Sequence, residues 1–330
     1  MNSIDRSVLL TEWLDRIFDR QGYRIVPLAG DCSFRQYFRV FVEGRQGGQY
    51  VVMDAPPPET IGSFIEIATL LDSVGVSVPK ILERHDALGF LLLTDFGDRL
   101  YLRELTASSA DHLYQSAFSA LIKIHACDAP LPVFDQPFMH QQLSTLFQEW
   151  YLKKHLEIEQ VEEMLQTIDP VLKHMIQVID SQPKVLMHRD YHSRNLMILE
   201  ESTPGVLDFQ DAMRGPITYD LVSLLQDCYI SWPRVQVTQW VLDFQRMAVD
   251  AGLLIPDISS ETFIKWFDWT GLQRHLKNLG IFSRMHHRNG KSAYLKDIPM
   301  VLKYISETCR RYSELMPLWL FFKETLQVTA

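Results

Sequence analysis

Two acids and one amide stand at spacings that suit the transfer of a phosphoryl group. In His188-Arg189-Asp190-Tyr191-His192-Ser193-Arg194-Asn195 an acid precedes an amide by five residues, and Asp208 follows thirteen residues later. A carboxylate in such a turn orients an acceptor hydroxyl and takes its proton, while an amide oxygen and a second carboxylate bind the metal ion that bridges nucleotide phosphates. A loop of unrelated turn residues could contain the same side chains, but it would not explain the apolar segments on either side. Val185-Leu186-Met187 and Leu196-Met197-Ile198-Leu199 read as two short strands of a hairpin, with a second turn at Ser202-Thr203-Pro204-Gly205 and Val206-Leu207 leading into Asp208. A hairpin of this kind would bring distant residues to one ligand.

The elements that must carry this stretch change character along the chain. Leu10, Trp13, Leu14, Ile17 and Phe18 recur at helical spacing. Strands are expected at Tyr23–Leu28, Arg35–Val42 and Gln49–Asp54, separated by a turn at 29–33 and a glycine-rich turn at 43–48. Pro56 to Pro58 stop the third strand, and a helix with Ile61, Phe64, Ile65 and Ala68 on one face follows, then strands at Val76–Leu82 and Phe90–Thr94. Beyond Gly97 the pattern is mainly helical. The fold class expected is α+β with two lobes: a small β-rich lobe with one central helix over 1–96, and a larger, mostly helical lobe over 97–330.

Composition narrows the partners. The 330 residues are 47% hydrophobic with a formal net charge of −9, which disfavours nucleic acid and acidic membranes as partners. No stretch reaches the roughly 18 apolar residues of a membrane span. Cys32, Cys127, Cys228 and Cys309 form no CxxC pair, so reduced thiols in a cytoplasmic protein are expected, with no zinc site. A monomer or weak dimer is expected.

Three motifs mislead. Asp95-Phe96-Gly97 spells a metal-binding triplet but precedes the candidate loop, so it reads as the hinge between lobes. Gly290-Lys291-Ser292 lacks the earlier glycine of a phosphate loop, since Met285 stands there. His286 and His287 are adjacent on a helix and point apart, which argues against a metal pair.

HRDYHSRN (188–195), LDFQDAMRGPITYDLVSLL (207–225) and LIKIHA (121–126) resemble the aminoglycoside phosphotransferase family of the protein-kinase-like fold. The resemblance covers nearly the whole chain and implies ATP and magnesium as cofactors. It makes Asp190 the catalytic base, Asn195 and Asp208 the magnesium ligands, and His188 and Asp220 structural braces. It also places adenine at the hinge residues Thr94 and Asp95, while Arg35 and Arg39, alternating on the second strand beside the turn at Ser33, are near enough in sequence to reach the nucleotide phosphates. One departure stands out. The family's third strand usually carries a lysine paired with a glutamate on the next helix, and Val51-Val52-Met53-Asp54 has none. Glu66 keeps the helix position, and Arg35, Arg39 or Lys80 would have to supply the cation. Otherwise the chain is a nucleotide-binding regulator without activity.

The acceptor is sought in the helical lobe. Trp269, Arg274 and Lys277 combine an aromatic face with cations that suit a sugar bearing an acid group, and Asp211 lies close after Asp208. SFRQYFRV (33–40), VVMDAPP (51–57) and QRHLKNLGIFSR (273–284) look like the anomeric sugar kinases of bacterial cell-wall recycling, which implies a small-molecule sugar phosphorylated at its C1 hydroxyl. In that subgroup the missing lysine is a shared feature. The acidic charge fits a polycationic antibiotic better, and an antibiotic kinase is the alternative acceptor reading. No Ala-Pro-Glu follows Asp208, so a protein acceptor is not expected.

Overall fold

The computed structural model describes residues 5–19, 22–28, 34–44, 47–199 and 203–326. In chain order the elements are α1 (Arg6–Ile17), β1 (Tyr23–Leu28), β2 (Gln36–Val42), β3 (Gln49–Asp54), α2 (Gly62–Ser73), β4 (Ile81–His85), β5 (Phe90–Thr94), α3 (Tyr101–Glu104), α4 (Ala110–His125) and α5 (Gln136–Gln142). A π-helical segment (Leu143–His155) leads to α6 (Val161–Asp180), then β6 (Lys184–Met187), β7 (Leu196–Ile198), β8 (Pro204–Val206) and β9 (Met213–Pro216). The rest is helical: α7 (Tyr219–Leu225), α8 (Arg234–Asp250), α9 (Ser260–Asn289), α10 (Ile298–Cys309) and α11 (Met316–Leu326). The chain groups into two compact units, Met1–Arg99 with Met197–Asp211, and Leu100–Leu196 with Ala212–Ala330. The segment carrying Asp208 therefore groups with the β-rich part of the chain.

The first unit is built on an antiparallel sheet of order β1-β2-β3-β5-β4. Asp5 caps α1 by accepting the Ser7 N–H at 3.0 Å, and Leu10, Trp13 and Leu14 pack with Val40, Val52, Phe90 and Leu92. Each such buried side chain contributes roughly 1.5–3 kcal/mol. Arg6 fixes this helix to the end of β3 through the Asp54 carboxylate and the Leu88 carbonyl, the latter at 2.7 Å. The fourth strand starts later than the periodicity suggests, at Ile81. Pro79 has no N–H to give a ladder, and Ser77 instead accepts the Val206 N–H at 2.8 Å. That bond draws β8 to the first unit.

The hairpin expected of 185–187 and 196–199 does not form. β6 pairs with β9, in register Val185↔Gly215 and Met187↔Met213, and β7 pairs with β8. Pro204 and Gly205, read from sequence as a turn, lie in β8. Two ribbons thus replace one, and they leave 188–195 and 207–212 as loops.

The second unit is organised by α9. Ser259 caps it, its Oγ accepting the Thr262 N–H at 3.1 Å, and Gly290 ends it in the left-handed region at φ 68°. From Trp266 to Gly280 every residue is buried, so this helix carries polar side chains into the interior. Gly280 lets it touch the π-helical segment: a Cβ there would lie 2.1 Å from the Leu146 carbonyl oxygen.

Candidate active site

The loop 188–195 is gripped from two sides. Asp220, fully buried at the start of α7, accepts the backbone N–H of His188 at 2.7 Å and of Arg189 at 2.8 Å, with His125 Nε2 3.5 Å away. Arg189 has φ 79°, a conformation that costs a non-glycine residue about 1–3 kcal/mol and persists only where its surroundings enforce it. The carboxylate of Asp220 supplies that enforcement. Nδ1 of buried His188 accepts the Asp190 N–H at 3.3 Å, and the Tyr191 hydroxyl donates to the Ala117 carbonyl at 2.8 Å. Farther along, Asp227 accepts the Ser193 N–H at 3.1 Å and the Ser193 hydroxyl. Sequence reasoning passed over Asp227. Its signal was an acid two helical turns after Asp220, closing the apolar run Leu221 to Leu225.

Asp190 and Asn195 are brought together by this turn. Asn195 Nδ2 donates to the Asp190 carbonyl at 2.9 Å, which commits the amide nitrogen; the amide oxygen is the atom with metal-ligand chemistry. Burial works against the charged form of Asp190. The positive fields of Lys277, His192, Arg274 and Arg189 more than offset it, so its carboxyl titrates below the ordinary range. Asp190 is therefore a carboxylate at neutral pH.

Asp208 belongs to the first unit. It is exposed, at φ 62°, which an aspartate tolerates, and its Oδ1 accepts the Gln210 amide N–H at 2.7 Å. Phe209 packs on Phe64 of α2 with ring centroids 4.8 Å apart, which anchors the segment. Burial raises the pKa of the Tyr37 hydroxyl, and Asp208, Glu59 and Asp211 raise it further against the pull of Arg35. All four charged groups therefore lie within reach of one ring. Arg35 pairs with Glu59 at 2.8 Å. A magnesium ion fits this chemistry: the donors are hard oxygens, and Oε1 of buried Gln210, beside Asp208, has no protein partner among the described residues. No group of three or more His, Cys, Asp or Glu suited to a metal occurs among the described residues.

The remaining expected residues fall elsewhere. Ser33 lies outside the described residues. Arg39 is consumed by Asp95, by Asp98 at 2.6 Å and by the Gly97 carbonyl at 2.8 Å, so it braces the 95–98 turn and is not placed as a phosphate cation. Asp95 also accepts the Gly97 N–H at 2.8 Å and the Gln49 amide, and Thr94 exchanges bonds with Lys80, its Oγ1 taking the Lys80 N–H at 2.9 Å. Glu66 is exposed on α2, and the acid that meets an arginine is Glu59. Trp269 is a core residue, fully buried between His174 and Tyr312, because its position on α9 faces α6 and the C-terminal helices rather than a cleft. Asp211 is exposed and belongs to the first unit, whereas Arg274 and Lys277, with which it was grouped, belong to the second. Arg274 and Lys277 are on α9 and act on Asp190.

A loop that holds an ionised carboxylate with an amide beside it has chemistry that suits a phosphotransferase. The chain belongs to the phosphotransferase enzyme family, whose model matches residues 24–253. It is 41% identical over 321 residues to the N-acetylmuramate/N-acetylglucosamine kinase of Pseudomonas aeruginosa, covering 93% of each chain. It is 36% identical over 332 residues to the kinase of the same name from Neisseria meningitidis, covering 97% of this chain and 96% of that one. Among solved structures, an ADP-bound aminoglycoside phosphotransferase superposes with a TM-score of 0.61 at 17% identity, over 93% of this chain and 99% of that one. A Plasmodium vivax ethanolamine kinase does so at 0.63 and 11% identity, over 87% and 82%. These two share the protein-kinase-like fold.

Proposed function

We propose that the protein is an ATP-dependent sugar kinase that phosphorylates the C1 hydroxyl of N-acetylmuramate and N-acetylglucosamine, as part of peptidoglycan recycling. The observation that carries this reading is the identity with kinases of that name over more than nine-tenths of both chains. Asp190 accepts the proton of the acceptor hydroxyl. Its depressed pKa keeps it ionised, and an anomeric hydroxyl, more acidic than other sugar hydroxyls, suits so weak a base. Asp220 and Asp227 hold the backbone on either side of that carboxylate, so its position does not depend on the substrate. Asn195 and Asp208 would hold magnesium by their side-chain oxygens. Bound magnesium–ATP supplies the phosphoryl group and spreads its charge. Arg35, oriented by Glu59, is the cation we assign to the nucleotide in place of the family's lysine.

The test is coupled ADP release with N-acetylmuramate, N-acetylglucosamine and kanamycin side by side. Turnover of the sugars and not of kanamycin is expected, abolished by Asp190→Asn and by chelation of magnesium. Turnover of kanamycin alone would overturn the acceptor assignment. Thermal stabilisation by ATP without turnover of any acceptor would favour a regulatory nucleotide-binding module.

A further inference from the structure

The two proposed acceptors differ by one ionisable group. N-acetylmuramate carries a lactyl carboxylate on an ether oxygen that in N-acetylglucosamine is a free hydroxyl. A site that serves both must welcome an anion without requiring one. Two side chains near Asp190 have that property. Arg274 and Lys277 are three residues apart on α9, hence on one face, and are only 4% and 6% exposed. A cation so deeply buried ordinarily meets a carboxylate. Here Arg274 Nη2 donates to the Ser223 hydroxyl at 2.6 Å and Lys277 Nζ to the Tyr219 hydroxyl at 2.9 Å, both neutral. Among the described residues the buried Nε of Arg274 has no partner, and neither side chain has a carboxylate at ion-pair distance. Both nonetheless lie close enough to Asp190 to act on its charge.

We infer that Arg274 and Lys277 form a carboxylate subsite beside Asp190, in which the acid group of an acidic amino sugar replaces the hydroxyl partners and a neutral sugar leaves them in place. The inference rests on the reading of the acceptor as a cell-wall amino sugar. Its physical logic is an exchange of partners. Ser223 and Tyr219 offer the cations only neutral oxygens, whereas a carboxylate adds the attraction of opposite charges at short range in a buried place, so it competes well for both. When it is absent, Ser223 and Tyr219 keep the cations from being left bare, so the neutral sugar is not penalised by uncompensated buried charge. Asp190 cannot serve as the permanent partner, because a close ion pair would occupy the oxygens that must receive the acceptor proton. The rival occupant is the transferred phosphoryl group, which would make the two cations equally important for every acceptor.

That difference sets the experiment. Wild-type enzyme is assayed with N-acetylmuramate, with its lactyl amide and with N-acetylglucosamine, and Lys277→Met is assayed with the two natural sugars. The amide, which keeps the size and loses the charge, is expected to have a kcat/KM about tenfold below that of the acid, carried by KM. Lys277→Met lowers kcat/KM for both sugars, since Asp190 loses a neighbouring cation, but about tenfold more for the acid than for the neutral sugar. An amide as good as the acid overturns the subsite without any variant having to fold. Equal losses on both sugars in Lys277→Met overturn it too, and assign the cations to the phosphoryl group. Turnover of neither sugar by the wild type overturns the acceptor reading, and the subsite with it.

Discussion

His275 lies between the two buried cations in sequence and makes the stability of the second unit depend on pH. It is fully buried, stacked on Tyr304 with centroids 4.8 Å apart, and its Nε2–H donates to the Gln226 carbonyl at 3.2 Å. Its Nδ1 has no partner among the described residues, so a second proton would enter a site without an acceptor. Burial pushes its pKa from 6.5 down to about 3; the Gln226 bond opposes the shift, while Arg274 and Lys277 add to it. In this window the unfolded chain binds a proton that the folded one refuses. The stability from neutral His275 is therefore complete above about pH 6.5 and is lost as pH falls toward 3, at about 1.4 kcal/mol per pH unit. From about pH 7 to about pH 5 the loss is about 2 kcal/mol, set by the titration of the unfolded chain. Urea unfolding of wild type and His275→Gln at both pH values checks this. Gln lowers stability at neutral pH by losing the stack, but wild type should lose about 2 kcal/mol more than the variant on acidification. Parallel losses would show that His275 is protonated in the folded state, and the argument would fail.

Asp220→Asn weakens the hold on two N–H groups and leaves Arg189 strained, so stability should drop by about 2–4 kcal/mol and kcat by about tenfold or more; unchanged kcat would mean that the loop holds itself. Gly280→Ala forces a methyl into the Leu146 backbone and should cost about 1–3 kcal/mol, read as a fall in Tm of several degrees; an unaltered Tm would deny the close approach of α9 to the π-helical segment. Arg35→Ala should raise KM for nucleotide while leaving KM for sugar nearly constant; unchanged nucleotide kinetics would remove Arg35 from the phosphate site.

What could be read from sequence was whatever chemistry or periodicity is local. The spacing of Asp190, Asn195 and Asp208 is a property of the chain, and the β-branched and aromatic residues of 23–28 and 49–54, with glycine or proline close by, mark strands whatever they pair with. Pairing was not legible. Val185–Met187 is apolar on both faces and carries no register signal, so nothing local says that it pairs with 213–216 rather than 196–199. Burial of polar residues was not legible either. Trp269, Arg274 and Lys277 sit on a helix buried on nearly all sides, where periodicity no longer separates core from cleft. Asp227 and Glu59 escaped for a related reason: each is an acid whose meaning lies in a partner distant in the chain, Ser193 in one case and Arg35 in the other.

The missing lysine is best understood from what the third strand does instead. Val52 is fully buried in the cluster that holds Trp13 and Leu14 of α1, Met53 is fully buried, and Asp54 receives Arg6. The end of β3 thus anchors the first helix, and a lysine there would lose either apolar packing or the Arg6 pair. The cation we propose for the nucleotide therefore comes from another strand. Of the two arginines on or beside β2, Arg39 faces two acids and a carbonyl, which cancel its charge within the 95–98 turn. Arg35 faces Glu59 and shares the surroundings of Tyr37 with Asp208. A guanidinium spreads more N–H donors over its planar fork than one carboxylate can take, and the geometry of that fork also matches phosphate oxygens. The replacement we propose is therefore a change of strand as well as of residue: Glu59, the acid that meets Arg35, lies on the segment that leaves β3, ahead of the helix that carries Glu66.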